Sequence, residues 1–304
     1  MSSSTHRAHL ALLGAGIMWG LMSPLSKAVM AGGIVSPLGV TSLRILGATL
    51  LFWLIAPLSP RERVARKDLL IMVCAAVFSV IANQVMFIRG VSMTSPVDAT
   101  IITTTMPILT MLLAAVVLRE PISGRKLGGV LLGMSGAVIL VLNSVGGLGK
   151  LSFSGITQLQ GDLFCLAAQA SYALYLVFFQ GIIRRYSPLT LMRWVFTFAT
   201  LMLLPFSWST LAETAWQSVP ESDWWSLAFI VGGGTFLCYL LVPIGQKVLR
   251  PTVTAMYNYV QPITATAVAI AWGMDSFNWV KAMAVALIFL GVILVNLSRA
   301  RQSR

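Results

Sequence analysis

The side chains able to do chemistry in this chain sit inside long apolar stretches. Trp19 and Ser23 lie one helical turn apart. Ser79, Asn83 and Phe87 follow i, i+4 spacing, with Gln84 beside them. Such spacing puts three groups on one helix face. Further on come Thr100, Thr103, Thr104 and Thr105, then Gln169, Ser171, Tyr172 and Tyr175, then Tyr239. Tyr257, Asn258, Tyr259 and Gln261 stand directly ahead of Pro262. Arg44 falls near the middle of its stretch, where a charge costs roughly 2.5–3.5 kcal/mol on insertion scales and must avoid lipid.

These groups suit hydrogen bonding and stacking, not bond making. His6 and His9 precede or open the first apolar stretch, and no HExxH or GxSxG string occurs, so an intramembrane enzyme is disfavoured. Cys74, Cys165 and Cys238 have no metal-ligand spacing and read as small packing residues. No cofactor or metal pattern is present. Asp98 and Asp162 lie within the first few residues of their predicted helices, so no carboxylate is expected in mid-membrane. That disfavours an obligate cation extruder and suits a neutral or zwitterionic solute.

Each candidate also has a plainer reading. Threonines in apolar helices bond back to their own helix. Asn83, Gln84 and Asn258 are explained by interhelical hydrogen bonds as readily as by a ligand. Arg44 fits a carbonyl-capping or interhelical role as well as a substrate carboxylate, and Arg193 can snorkel to the surface. Trp224, Trp225 and Trp279 stand at stretch ends and read as interfacial anchors.

The elements that position these groups follow from composition. Hydrophobic residues make up 57% of 304 and charged ones 10%, whereas a soluble domain carries roughly a quarter charged residues. Apolar runs of about twenty residues, the length that crosses a bilayer, recur between short polar breaks. They lack the alternation of a β-barrel. The breaks predict an all-α integral membrane protein with ten transmembrane helices, at 9–30, 34–57, 69–91, 96–118, 125–143, 161–183, 188–208, 224–246, 251–272 and 279–297. The first is expected to be retained and not cleaved as a signal.

The net charge of +12 would suggest nucleic acid in a soluble protein, but here its location matters more. If the N-terminus is cytoplasmic, Arg7, the 61–67 loop, the 119–126 loop, Arg184 and Arg185, Lys247 and Arg250, and the C-terminal tail place fifteen basic residues inside. Only Lys150 and Lys281 fall outside, so both termini are expected in the cytoplasm. The expected partners are the lipid bilayer and a small-molecule substrate; oligomeric state is open.

An internal repeat carries the most information. A shift of 155 places Asp68 on Asp223, Pro96 on Pro251, Pro107 on Pro262, Lys126 on Lys281 and Gly136 on Gly291. Ser36-Pro37-Leu38 matches Ser187-Pro188-Leu189 at 151. Five predicted helices per half invert the second half relative to the first. The expected organisation is a first repeat over 1–145, a Gly/Ser-rich connector over 146–160, and an inverted repeat over 161–304. Inverted repeats are the architecture of many secondary transporters, with the site at their interface.

The pattern Ala99, Pro107, Leu118, Glu120-Pro121, Gly128, Gly133 and Gly136, with its echo at Pro262, Trp272, Asp275 and Gly291, resembles the paired EamA-type domains of the drug/metabolite transporter superfamily. The resemblance covers nearly the whole chain. It implies ten helices in two inverted halves, and export or exchange of metabolites, including amino acids in several members. The echo departs from the pattern where Asp275-Ser276 replaces an acidic-proline pair.

The expected substrate-binding residues are Trp19, Ser23, Arg44, Ser79, Asn83, Gln84, Thr104, Gln169, Tyr172, Tyr239, Tyr257 and Asn258. Pro107 and Pro262 are the expected gating positions, since proline removes a backbone hydrogen bond and weakens its helix. Gly16/Gly20 and Gly129/Gly133 should permit close helix contact. An uncoupled facilitator and an exporter of drugs or nucleosides remain as alternatives.

Overall fold

The computed structural model describes residues 3–58, 62–94, 96–144, 156–271 and 276–298. These are helical, with no strand among them. Among the described residues, nine helices are long and apolar enough to cross a membrane. In chain order the main elements are α1 (Ser3–Ala31), α2 (Pro37–Leu54), α3 (Arg66–Met93), α4 (Pro96–Thr103 and Met106–Val117), α5 (Gly124–Ser144) and α6 (Ile156–Phe178). They continue with α7 (Pro188–Glu213), α8 (Glu221–Val248), α9 (Pro251–Met256 and Val260–Ala271) and α10 (Trp279–Leu297). The connector expected over 146–160 falls largely outside the described residues, and α6 already begins at Ile156.

The ninth expected span, 251–272, is not one continuous α-helix: Tyr257–Tyr259 form a 3₁₀ turn between its two pieces. α4 breaks at Thr104 and Thr105 in the same way. In both, a proline follows the break, and its missing N–H leaves the carbonyl four residues earlier, at Thr103 or Asn258, without its helical donor. Pro24, Pro205 and Pro243 sit within helices that continue through them.

Helix starts follow local chemistry. Ser36 and Ser187 cap α2 and α7 by accepting from Gly39 N–H at 3.1 Å and Thr190 N–H at 3.2 Å, each with proline at the first helical position. α3 and α8 each contain a π-helical turn, at Val77–Ala82 and Gly232–Leu237, 155 residues apart. A π turn displaces the helical ladder and exposes carbonyls to other donors. Ser171 Oγ donates to Phe78 O at 2.8 Å and Tyr239 OH to Ser79 O at 2.7 Å. Trp19 Nε1 donates to Gly234 O at 3.1 Å. Ser79 and Gly234 are equivalent in the repeat.

Packing carries the same symmetry. α1 lies against α8 and α9 of the other half, and α6 against α3 and α4; α2 packs on α7, and α5 on α10. The α5–α10 seam is extensive and close. A Cβ on Gly129 would meet Gly291 O at 2.8 Å, and one on Gly136 would meet Ala284 O at 2.6 Å. These two contacts exchange under the repeat. Gly20 is likewise pressed on α9, where a Cβ would meet Gln261 O at 2.7 Å.

The outer surface is apolar: Val116, Leu201 and Phe206 are largely exposed. Such a surface requires hydrocarbon around it, so the chain is a multi-pass membrane protein. Trp225 and Trp279, at helix starts, are also exposed.

Candidate functional site

A cavity lies where α1, α2, α3, α4, α6, α8 and α9 converge. Of the expected substrate-binding residues, Trp19, Arg44, Asn83, Gln84, Gln169, Tyr172, Tyr239 and Asn258 line it. Phe87, Thr103 and Gln261, from the same polar-aromatic stretches, line it too, together with Met22 and Met106. The two methionines carry no sequence signal of their own, because methionine on an apolar helix reads as packing. None of the described lining residues is acidic.

The fold holds the walls in place through backbone carbonyls. Asn83 Nδ2 donates to Ala168 O at 2.9 Å, tying α3 to α6. Gln261 Nε2 donates to Asn258 Oδ1 at 3.0 Å, and Asn258 Nδ2 contacts the Met106 sulfur across the two broken helices. Trp19 meets Tyr172 edge-on with ring centroids 5.7 Å apart, and Tyr172 meets Tyr239 at 6.2 Å. Edge-to-face contacts fix ring orientation and leave other ring faces for a ligand.

Against these satisfied groups stand several that are not. Arg44 is 2% exposed; its Nε donates to Thr235 Oγ1 at 3.0 Å, while its Nη1 is buried without a hydrogen-bond partner. Thr235 in turn donates to Ile230 O at 2.8 Å, so its lone pairs face the guanidinium. Gln84 lies beside the Tyr239 hydroxyl, yet neither end of its amide meets a partner in hydrogen-bonding geometry. Tyr172 OH is also unpartnered.

Other expected site residues lie elsewhere. Ser79 Oγ donates back to Ala75 O at 2.6 Å, and Thr104 Oγ1 to Ile101 O at 2.6 Å, so both hydroxyls are spent on their own helices. Thr103 and Thr105 make the same kind of bond. Tyr257 lines a smaller adjoining space, nearer the basic ends of α1, α8 and α9. Its hydroxyl is 2.6 Å from His9 Nδ1. The Ser23 side chain lies outside the described residues. Pro107 and Pro262 each follow a helix break beside the cavity and do not line it.

At the basic face the two halves meet through charged and polar contacts. Asp68 accepts from Arg185 Nη1 at 2.7 and 2.8 Å and from Tyr186 OH at 2.7 Å. Glu62 accepts from Ser187 N–H at 3.0 Å and Ser187 Oγ at 2.8 Å. Partial burial opposes ionisation of Glu62, but these bonds, with Thr190 and Lys247 nearby, hold its carboxyl below the usual range. These contacts join the segment before α3 to the turn before α7.

A model of the EamA-like transporter family matches the sequence over residues 6–142 and again over 159–297. The chain belongs to the EamA-like transporter family. Among its EamA-like relatives, the protein named Uncharacterized transporter YyaM of Bacillus subtilis (strain 168) is 23% identical, over 94% of this chain and 92% of its own. Uncharacterized inner membrane transporter YicL of Salmonella typhimurium (strain LT2) is 23% identical over 99% of both. A solved crystal structure superposes with a TM-score of 0.74 at 18% identity, covering 97% of this chain and 96% of that one, which shows a shared fold.

Proposed function

We propose that this transporter exports or exchanges a small neutral or zwitterionic metabolite, with amino acids the leading class, by alternating access. The observation that carries this is the cavity between the repeats: amides, aromatic rings and one guanidinium surround it, with no described carboxylate. The repeated π turns and broken helices beside it support bending of equivalent elements in opposite directions. The basic bias of one face supports cytoplasmic termini. The inner-membrane name of the Salmonella relative supports the bacterial inner membrane as the location.

Reconstitution in liposomes, with labelled amino acids, sugars, nucleosides and cationic dyes, tests the reading. Counterflow of an amino acid is the expected result; flux confined to cationic dyes would overturn the substrate class. For orientation, a cysteine at Ser218 should react with an impermeant thiol reagent in intact cells and one at Arg63 should not.

A further inference from the structure

Among the described residues Arg44 has no counterion. The described ion pairs are Lys126–Glu120 and Arg185–Asp68, and neither involves it. A guanidinium buried in a membrane protein without a carboxylate needs another source of negative charge or dipole. Thr235 supplies one oxygen, to Nε, and leaves the fork's Nη1 unmet. The Gln84 side chain, on the facing helix α3, brings an unmet N–H donor and an unmet oxygen to the same cavity, and Tyr172 brings an unmet hydroxyl. A planar anion with two acceptor oxygens matches a guanidinium fork and a nearby amide donor. Trp19, Met22, Phe87 and Met106 give the same cavity an apolar and aromatic wall, beside the polar groups of Asn83, Thr103, Gln169, Asn258 and Gln261.

We infer that Arg44 and Gln84 form a seat for a carboxylate, and that the solute is an organic carboxylate with an apolar body whose amino group, if present, is not read by an ion pair. The inference rests on the transporter reading and specifies its substrate. A zwitterion and its deaminated analogue should both fit, because the described lining offers no carboxylate to pair with an ammonium. An amine or amide lacking the carboxylate should not.

Four probes differing only at these groups make the test: leucine, 4-methylpentanoate, leucinamide and 3-methylbutylamine. Binding is measured on the full chain in nanodiscs by ligand-induced thermal shift and by fluorescence of the cavity tryptophan. Leucine and 4-methylpentanoate should bind about tenfold or more tightly than the other two, the scale of a hydrogen bond to a charged group. Arg44→Gln should remove that preference, and Arg44→Lys should retain part of it. If Arg44→Gln does not fold, Gln84→Leu should weaken both carboxylates and leave the amide and amine unchanged.

Equal binding of all four probes, failure of both carboxylates to bind, or a preference that survives Arg44→Gln would each overturn the inference. Carboxylate-selective binding without flux in liposomes would defeat the transport reading and leave the seat standing. Flux of a solute lacking a carboxylate, with no carboxylate binding, would do the reverse.

Discussion

At the basic face, residues 62–68 meet residues 185–187 through charge and hydrogen bonds, with Asp68 held by Arg185 and Tyr186, and Glu62 by Ser187. The repeat builds the corresponding joint at the opposite face from residues 217–223 and 34–36. There the equivalents of Arg185 and Tyr186 are Ile34 and Val35, and Asp223 makes no ion pair among the described residues. Val35, Val219, Leu227 and Ile230 form an apolar cluster with Trp216 against it. Ser36 repeats the helix cap of Ser187 but makes no counterpart to the Glu62 bond. Duplication thus fixes where the joints fall, while side chains decide how each holds. An apolar joint parts without stranding a charge, whereas the polar one leaves a carboxylate and a hydroxyl in need of water.

The comparison breaks most visibly at Asp68. Asp68→Ala removes the acceptor shared by Arg185 and Tyr186, so the basic side should open. A cysteine at Thr254, which lines the inner space, should then react several-fold faster with a thiol reagent applied at that face. An unchanged rate would mean that the joint is not what closes the path.

Between the joints lie the breaks ahead of Pro107 and Pro262. Replacing either with alanine should slow turnover several-fold while weakening substrate binding less, because the restored hydrogen bond stiffens the helix. Unchanged turnover in both single variants and in the double variant would move the bending elsewhere.

A smaller effect is expected from Val35→Ala, which removes buried methyl groups from the apolar joint and should lower stability by about 2 kcal/mol. Chemical denaturation in detergent measures it. Reactivity at Thr254→Cys should stay unchanged; if it rises as much as in Asp68→Ala, the two joints are not independent.

The smallest effect is on pH. Glu62 has a lowered folded pKa, so its contribution is present above the ordinary carboxylate value of 4.5 and is lost as pH falls through the lowered value. Reactivity at Thr254→Cys, taken relative to an exposed cysteine at the same pH because only the thiolate reacts, should therefore rise modestly as pH drops below about 4.5. Glu62→Gln should flatten that rise.

Much of this was legible in the sequence because hydrocarbon allows few alternatives. Helix positions follow from apolar run length, and the breaks at α4 and α9 from paired prolines. Mid-span amides and rings marked most of the cavity, since polar groups there must face inward. Ser79 and Thr104 misled because a hydroxyl can satisfy itself on its own helix, which spacing does not reveal. The π turn at Val77–Ala82 has no local signal; donors from α6 and α8 occupy the carbonyls it exposes. The polar joint was invisible because Asp68 and Arg185 are 117 residues apart.

The α5–α10 seam has a consequence for direction. Its contacts, Gly129 on Gly291 and Gly136 on Ala284, map onto each other when the two halves are interchanged. A self-complementary contact of this kind looks the same from either side of the membrane. It can act as an axle, but it has no arrow: it favours neither an inward nor an outward opening. A methyl added at Gly291, whose Cβ would fall 2.6 Å from Gly129 O, should therefore loosen the whole molecule without changing which way it prefers to face. Vectorial bias must come from the parts that duplication left unequal, chiefly the charged joint at one end and its oily counterpart at the other.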